Sequence, residues 1–405
     1  MGQTSTPHAA PSTAASEHPP VLAEALLERI GARAAGYDRE SRFFDEDLDD
    51  LRRAHYLKLW VPKALGGQGL QLPQVVREQA RLAYHAPATA LAINMHLYWS
   101  GTAAHLNQRG DHSADWILDE IVAGKIFAAG HGEPNNDLGL AGSTVRAEPL
   151  EGGSYRFTGR KVFTSLAPVW DWLGVHGLDD SDPARPRIVH AFIRRSDPGH
   201  RTEPTWDALG VRATRSDDTV LEGVVAAAPY VTRVLPAGPP NDPFIEGIFG
   251  AAILPIAAVY WGIARRAFDL AIESARKRQS AALGGKTYAH HPIAQLNVSK
   301  AAIELDAIGA LLERTAQDWA AGVDHGALWP AKLLAAKQHA VDGARRVVDL
   351  ATEVVGAGSL LRRNELERLV RDVRSGPFHP PNTVASHDLI GKSHLGVLGV
   401  PGEGA

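Results

Sequence analysis

Cysteine is missing from all 405 residues, which excludes disulfides, thiolate metal centres, iron–sulfur clusters and a cysteine nucleophile. Chemistry must come from His, Ser, Thr, carboxylates or a bound cofactor. A charge excess is missing as well: 46 acidic residues stand against 42 basic ones, and a formal charge of -4 creates no field that draws the chain to nucleic acid. The opening stretch MGQTSTPHAAPSTAASEHPP lacks the apolar run of a secretory signal. Its Pro, Ser, Thr and Ala content predicts a disordered tail over residues 1–20 and a cytoplasmic protein. One uncharged run does reach the length of a membrane span, the 18 residues GIFGAAILPIAAVYWGIA from Gly247 to Ala264. Pro255 in its middle, Glu246 before it and the charged continuation RRAFDLAIESARKR predict instead a helix buried all round inside a bundle, with no membrane contact.

What is present sorts into blocks, as a chain above the size of a single core should. From about Val21 to Ala128, apolar residues recur at three- and four-residue intervals, as in LAEALLERIGARAAGYDRE, predicting an N-terminal helical domain over 21–128. Short alternating segments such as SYRFTGRKVF and PRIVHAFIRR, split by Gly, Asp and Pro clusters, predict a central antiparallel β domain over 129–235. The helical period returns after Pro243 in ARRAFDLAIESARKR, IAQLNVSKAAIELDAIGALLERTAQDWA and AKLLAAKQHAVDGARRVVDLATEVV, predicting a C-terminal four-helix bundle over 236–400. The fold class is therefore mainly α with a β domain.

Five segments carry a family likeness in order: LWVPKALGGQGL (59–70), HGEPNNDLGLAG (131–142), GRKVFTSLA (159–167), ALGVRATRSDDTVLEGVV (208–225) and EVVGAGSLLRRNELERLVRDVR (353–374). Together they resemble the acyl-CoA dehydrogenase superfamily, whose three-part plan is the helix–sheet–helix order just described. The resemblance implies a flavin, FMN or FAD. It places His131, Glu133, Gly142 and Ser143 in the loop that touches the cofactor, Phe163 at the stacking aromatic position, Thr164 beside it, and Ser165 at flavin N5. It also places Arg278 on the cofactor's phosphates, with Glu353 and Gly356 near the dinucleotide of an adjacent chain in a homotetramer. Glu353 replaces the family's Gln and Ala357 its second Gly, which leaves FAD and FMN both open.

Thioester dehydrogenation needs a general base to take the α-proton while hydride leaves the β-carbon. The two places where the superfamily keeps its glutamate fall on Pro380 and Ala252, and Glu246 stands six residues before the second. RSGPFHPPN puts His379 beside the vacancy, a pattern similar to two-component flavin monooxygenases of the dibenzothiophene monooxygenase type. That likeness implies His379, Ser165 and a histidine of the N-terminal domain around the flavin C4a/N5 edge. His96 is assigned the third role, with His85 and His105 as alternatives. Tyr98 and Trp99 are candidates for an apolar substrate wall. The expected activity is oxygenation of a small apolar, aromatic or heteroatom-bearing molecule with reduced flavin from a separate reductase. A dehydrogenase with a displaced base and an inactive flavin- or acyl-binding scaffold are the rivals. His290, His291 and His387 read as surface or loop residues, and no metal is expected.

Overall fold

A computed structural model describes residues 18–239 and 241–398, so most of the tail expected at 1–20 lies outside the described residues. Five helices come first: α1 (Glu24–Glu40), α2 (Asp45–Arg53), α3 (Leu72–His85), α4 (Pro87–Gln108) and α5 (Asp115–Val122). Their starts follow local chemistry. Asp45, Glu46 and Asp47 occupy the first turn of α2, where the helix dipole favours negative charge. Pro87 opens α4, at the position where a missing N–H costs nothing.

Eight strands follow: β1 (Phe127–Gly130), β2 (Arg146–Pro149), β3 (Tyr155–Lys161), β4 (Trp172–Asp179), β5 (Arg187–Arg194), β6 (His200–Glu203), β7 (Asp218–Ala226) and β8 (Val231–Pro236). They form one sheet in the order β6-β7-β3-β2-β4-β5-β8, with β1 paired to β4. The sheet is mixed rather than wholly antiparallel as expected, because β1 and β2 both run parallel to β4. Helix α4 docks on this part of the sheet. A Cβ at Gly174 of β4 would come within 2.1 Å of the Trp99 ring, so only glycine permits that approach. The Trp99 indole then donates to Ala128 O at 2.9 Å, tying helix to strand.

The third block holds α6 (Pro243–Lys277), α7 (Pro292–Ala320), α8 (Trp329–Val355), α9 (Glu365–Asp372) and α10 (Thr383–Leu395). Asp242 caps α6 by accepting from Phe244 N at 2.8 Å, and Pro243 sets its first turn. At 35 residues α6 is about 50 Å long. Its most apolar window is 83% buried, because α3 and α4 cover one side while α7 and α8 cover the other. Among the described residues the bundle is made of the long helices α6, α7 and α8 with the shorter α9 and α10, which pack on α8 and are parted by the 3-10 segment Val373–Phe378. Pro377, Pro380 and Pro381 break the helical run there.

Candidate active site

Beyond the end of β3 the backbone enters conformations that bulky side chains avoid. Phe163 (φ 58°) and Leu166 (φ 68°) lie in the left-handed region, and so do Val211 (φ 47°) and Arg215 (φ 43°) on the facing segment. Each such residue costs about 1–3 kcal/mol. Main-chain bonds lace the two segments together: Thr164 N to Asp217 O (3.3 Å), Leu166 N to Thr214 O (3.2 Å) and Ala167 N to Arg215 O (3.3 Å). Strain concentrated on two paired segments points to a shape kept for a ligand.

The side chains here match a flavin. Phe163 is 66% exposed and meets Trp206 edge-on at 6.2 Å between ring centroids. Ser165 Oγ lies 2.8 Å from Ser216 Oγ, which lies 2.7 Å from Thr214 Oγ1, so three buried hydroxyls form a chain. An open aromatic face beside a hydroxyl suits a flat apolar ring with a polar edge. Thr164 departs from the expectation that it touches the cofactor. Its side chain is buried and accepts from Thr219 Oγ1 at 3.4 Å, on the β7 side of the segment and away from the exposed Phe163 ring.

Gly132 bridges to Val162, which brings the loop after β1 alongside Phe163. Inside that loop Glu133 is a strut. It accepts from Lys161, from Ser143 Oγ (2.6 Å) and from Thr144 N (2.6 Å), while Gly142 O accepts from His176 Nε2 at 3.2 Å. Burial raises the Glu133 carboxyl, but the Lys161 charge together with the hydrogen bonds from Lys161, Ser143 and Thr144 N outweighs it and holds the group below its ordinary value. Glu133, Ser143 and Gly142 thus shape the loop from within. His131 receives the Tyr98 hydroxyl contact on Nδ1 at 2.7 Å, and its Nε2 has no partner among the described residues.

His96 differs from the role expected of it. Its Nε2 meets Leu57 O at 3.0 Å and its Nδ1 accepts from Phe127 N at 3.1 Å, so both ring nitrogens are spent on backbone. Burial lowers its pKa to about 4, and the neutral ring braces α4 against β1. His105 accepts from Arg109 and stacks on Trp319, and His85 packs beside Tyr84, so neither alternative takes the place. From α4 it is Tyr98 that reaches the His131 loop.

His379 follows the 3-10 segment after α9. Its Nε2 contacts the Tyr260 hydroxyl, which also lies 2.9 Å from Ser375 Oγ, and its Nδ1 has no protein partner among the described residues. Burial and then the Lys337 charge push the imidazole down to about 3. The turn is coupled to the hydroxyl chain through shared backbone. Ser375 Oγ donates to Asp372 O (2.7 Å), Asp372 Oδ1 accepts from Val211 N (2.6 Å), and Thr214 N donates to Val211 O (3.0 Å). A Cβ at Gly210 would lie 2.4 Å from Arg371 O, so the two segments touch.

Among the described residues no free carboxylate accompanies these groups. Asp372 is engaged by Val211 N, Asp217 accepts from Trp206 N (3.0 Å) and from Arg215, and Glu133 is paired. Glu246 lies in the first turn of α6, where the His105 ring at 3.7 Å and the Arg109 guanidinium at 3.1 Å hold its carboxyl below the ordinary value. Elsewhere, Arg278 donates to Val355 O (2.9 Å), lies 3.6 Å over the Tyr288 ring and abuts Gly356 (φ 76°). Glu353 is taken by Asn297 Nδ2 at 2.7 Å. Arg278 and Gly356 therefore share a spot, and Glu353 is held against α7.

Sequence reasoning missed Ser216, Thr214, Trp206, Tyr260 and Lys337. Tyr260 sits in an apolar run and reads as core. Lys337 did leave a signal: it is four residues from Leu333 and four from Val341, both buried, so the helical period places it on the apolar face.

The model of the acyl-CoA dehydrogenase C-terminal domain matches residues 254–381. The putative acyl-CoA dehydrogenase YdbM of Bacillus subtilis is 30% identical over 88% of this chain and 91% of its own. Dibenzothiophene monooxygenase of Rhodococcus erythropolis is 28% identical over 98% and 97%. The X-ray structure of KijD3, in complex with FMN and dTDP-3-amino-2,3,6-trideoxy-4-keto-3-methyl-D-glucose, superposes with a TM-score of 0.80 at 26% identity over 92% of both chains. The chain therefore belongs to the acyl-CoA dehydrogenase family of flavin-dependent oxidoreductases.

Proposed function

We propose that the protein is the oxygenase component of a two-component flavin monooxygenase, binding reduced FMN supplied by a separate reductase. It oxygenates a small apolar, aromatic or heteroatom-bearing substrate. The observation that carries this reading is the bonded route from the His379 turn through Tyr260, Ser375, Asp372 and Val211 to the Ser165 hydroxyl chain, along which no described carboxylate is left unengaged to serve as an α-proton base. Similarity to dibenzothiophene monooxygenase and to the FMN-bound KijD3 structure supports it.

Bound reduced flavin supplies two electrons, so that one atom of O2 enters the substrate and the other leaves as water. Phe163 and Trp206 would offer the flavin an aromatic wall, and Ser165, polarised through Ser216 and Thr214, would donate or accept a hydrogen bond at its polar edge. The neutral His379 ring offers its Nδ1 side to the reacting oxygen or the substrate, with Tyr260 fixing its orientation. Tyr98 and His131 close the other side, and the packing of α4 against β1 keeps water from the site. Arg278 stands where a phosphate tail would be received. Exposed Leu296 and Ile303 on α7 support association with further copies, as a cytoplasmic homotetramer.

Anaerobically reduced, FMN-loaded protein mixed with oxygen is expected to show a transient absorbance distinct from both reduced and oxidised flavin. Bleaching of oxidised holoprotein by acyl-CoA thioesters, without that transient, would instead establish a dehydrogenase. Silence in both assays would leave a scaffold.

A further inference from the structure

The turn that carries His379 is held from beneath by a charge without a counter-ion. Lys337, midway along α8, is 1% exposed, and its ammonium group donates to His379 O (2.6 Å) and to Pro381 O. Among the described residues no carboxylate lies within ion-pair distance of it, and burial alone lowers its pKa to about 8. An unpaired buried ammonium is costly, and a position needing only bulk would be filled more stably by Leu or Met. The two carbonyls that receive it belong to the residues on either side of Pro380. Both flank the imidazole rather than the helix core.

We propose that Lys337 is a positioning residue that clamps the His379–Pro381 turn and so aims the His379 ring along the Tyr260 hydroxyl. This rests on the reading of His379 as part of the flavin site. A consequence is electrostatic: the groups facing His379 are Tyr260 from α6, Lys337 from α8 and Ser375 from its own segment, with Asp372 behind Tyr260. The one cation among them is Lys337. Beside burial, which is the larger effect, its charge opposes protonation of the imidazole and helps keep the ring neutral across the working pH range.

Two variants separate clamp from charge. Lys337→Gln keeps hydrogen-bond donors without the charge, and Lys337→Met removes both at similar volume. The first readout is the His379 imidazole titration by NMR in the apoprotein, with the signal assigned by its loss in His379→Asn. The second is the lifetime of the oxygen-dependent transient in the FMN-loaded protein. In both variants the His379 midpoint should rise toward the ordinary value of about 6.5. In Lys337→Met alone, the transient should also decay about tenfold faster, because a displaced ring no longer faces the reacting oxygen. Unchanged His379 titration and unchanged lifetime in both variants, with only thermal stability altered, would overturn the proposal. Should Lys337→Met fail to fold, the Lys337→Gln titration decides. A parent protein without any transient would remove the oxygenase reading, while the titration would still report on Lys337.

Discussion

At the scale of single residues, two histidines that look alike in the sequence have opposite surroundings. His96 has both nitrogens occupied by Leu57 O and Phe127 N, whereas His379 keeps Nδ1 unoccupied. Replacing His96 with Ala strands a buried carbonyl and a buried N–H and opens a cavity, so stability should fall by about 2–4 kcal/mol. Urea unfolding measures this, and the folded fraction should keep its specific activity. Activity lost at full stability would return His96 to the chemistry. Ser165→Ala should behave in the reverse manner. It removes one donor at the cofactor edge, worth about 100-fold in turnover, while Ser216 keeps its bond to Thr214 and the apoprotein melts near the parental temperature. A Ser165→Ala enzyme turning over at the parental rate would exclude the N5 role.

At the scale of elements, the helices were legible because each long one repeats its apolar residues on a helical period, and α6 because its apolar run passes into an amphipathic one. The parallel pairing of β1 with β4 was not legible, since strands far apart in sequence carry no local mark of their register. The division of the last helical stretch into α9 and α10 was hidden in the same way: Gly376, Pro377, Pro380 and Pro381 stop the run, yet glycine and proline alone do not say what packs beyond them. The site divides similarly. Phe163, Ser165 and His379 stand in motifs, while Tyr260 and Lys337 become visible only once α6, α8 and the turn are packed together. Position 174 tests the packing that joins sheet to helix. With 2.1 Å between a Cβ there and the Trp99 ring, Gly174→Ala must push α4 off β4, at a cost of about 1–3 kcal/mol. Chemical denaturation should show that loss, and it should be accompanied by a change in tryptophan fluorescence. An alanine accepted without either change would mean that α4 and β4 do not pack this closely.

At the scale of the whole molecule, folding keeps an unusual number of imidazoles neutral. Burial lowers His96 to about 4, His190 and His379 to about 3, and His131 and His176 well below their ordinary value. A histidine with a depressed folded pKa binds its proton in the unfolded chain first, so stability falls as pH drops below about 6.5. Two buried aspartates act in the opposite sense. Burial raises Asp47 and Asp372 to about 6, so they take up protons in the folded state before the unfolded one and resist the loss below that pH. Glu46 at about 2 and Asp50, which its arginine partners hold well below the ordinary carboxylate range, stay ionised in the folded state throughout this window. With His85 also lowered by burial, six histidines against two aspartates leave the unfolded chain with about three to four more protons near pH 5, a slope of at most about 5 kcal/mol per pH unit. Urea midpoints from pH 7.5 down to 5 should therefore hold steady at first and then fall steeply below about 6.5. His190→Phe should flatten the fall by about one proton's worth, because His190 has no hydrogen-bond partner on either nitrogen among the described residues. A midpoint that stays constant to pH 5 would mean that these rings take up protons in place, and the neutral state assigned to His379 would lose its basis.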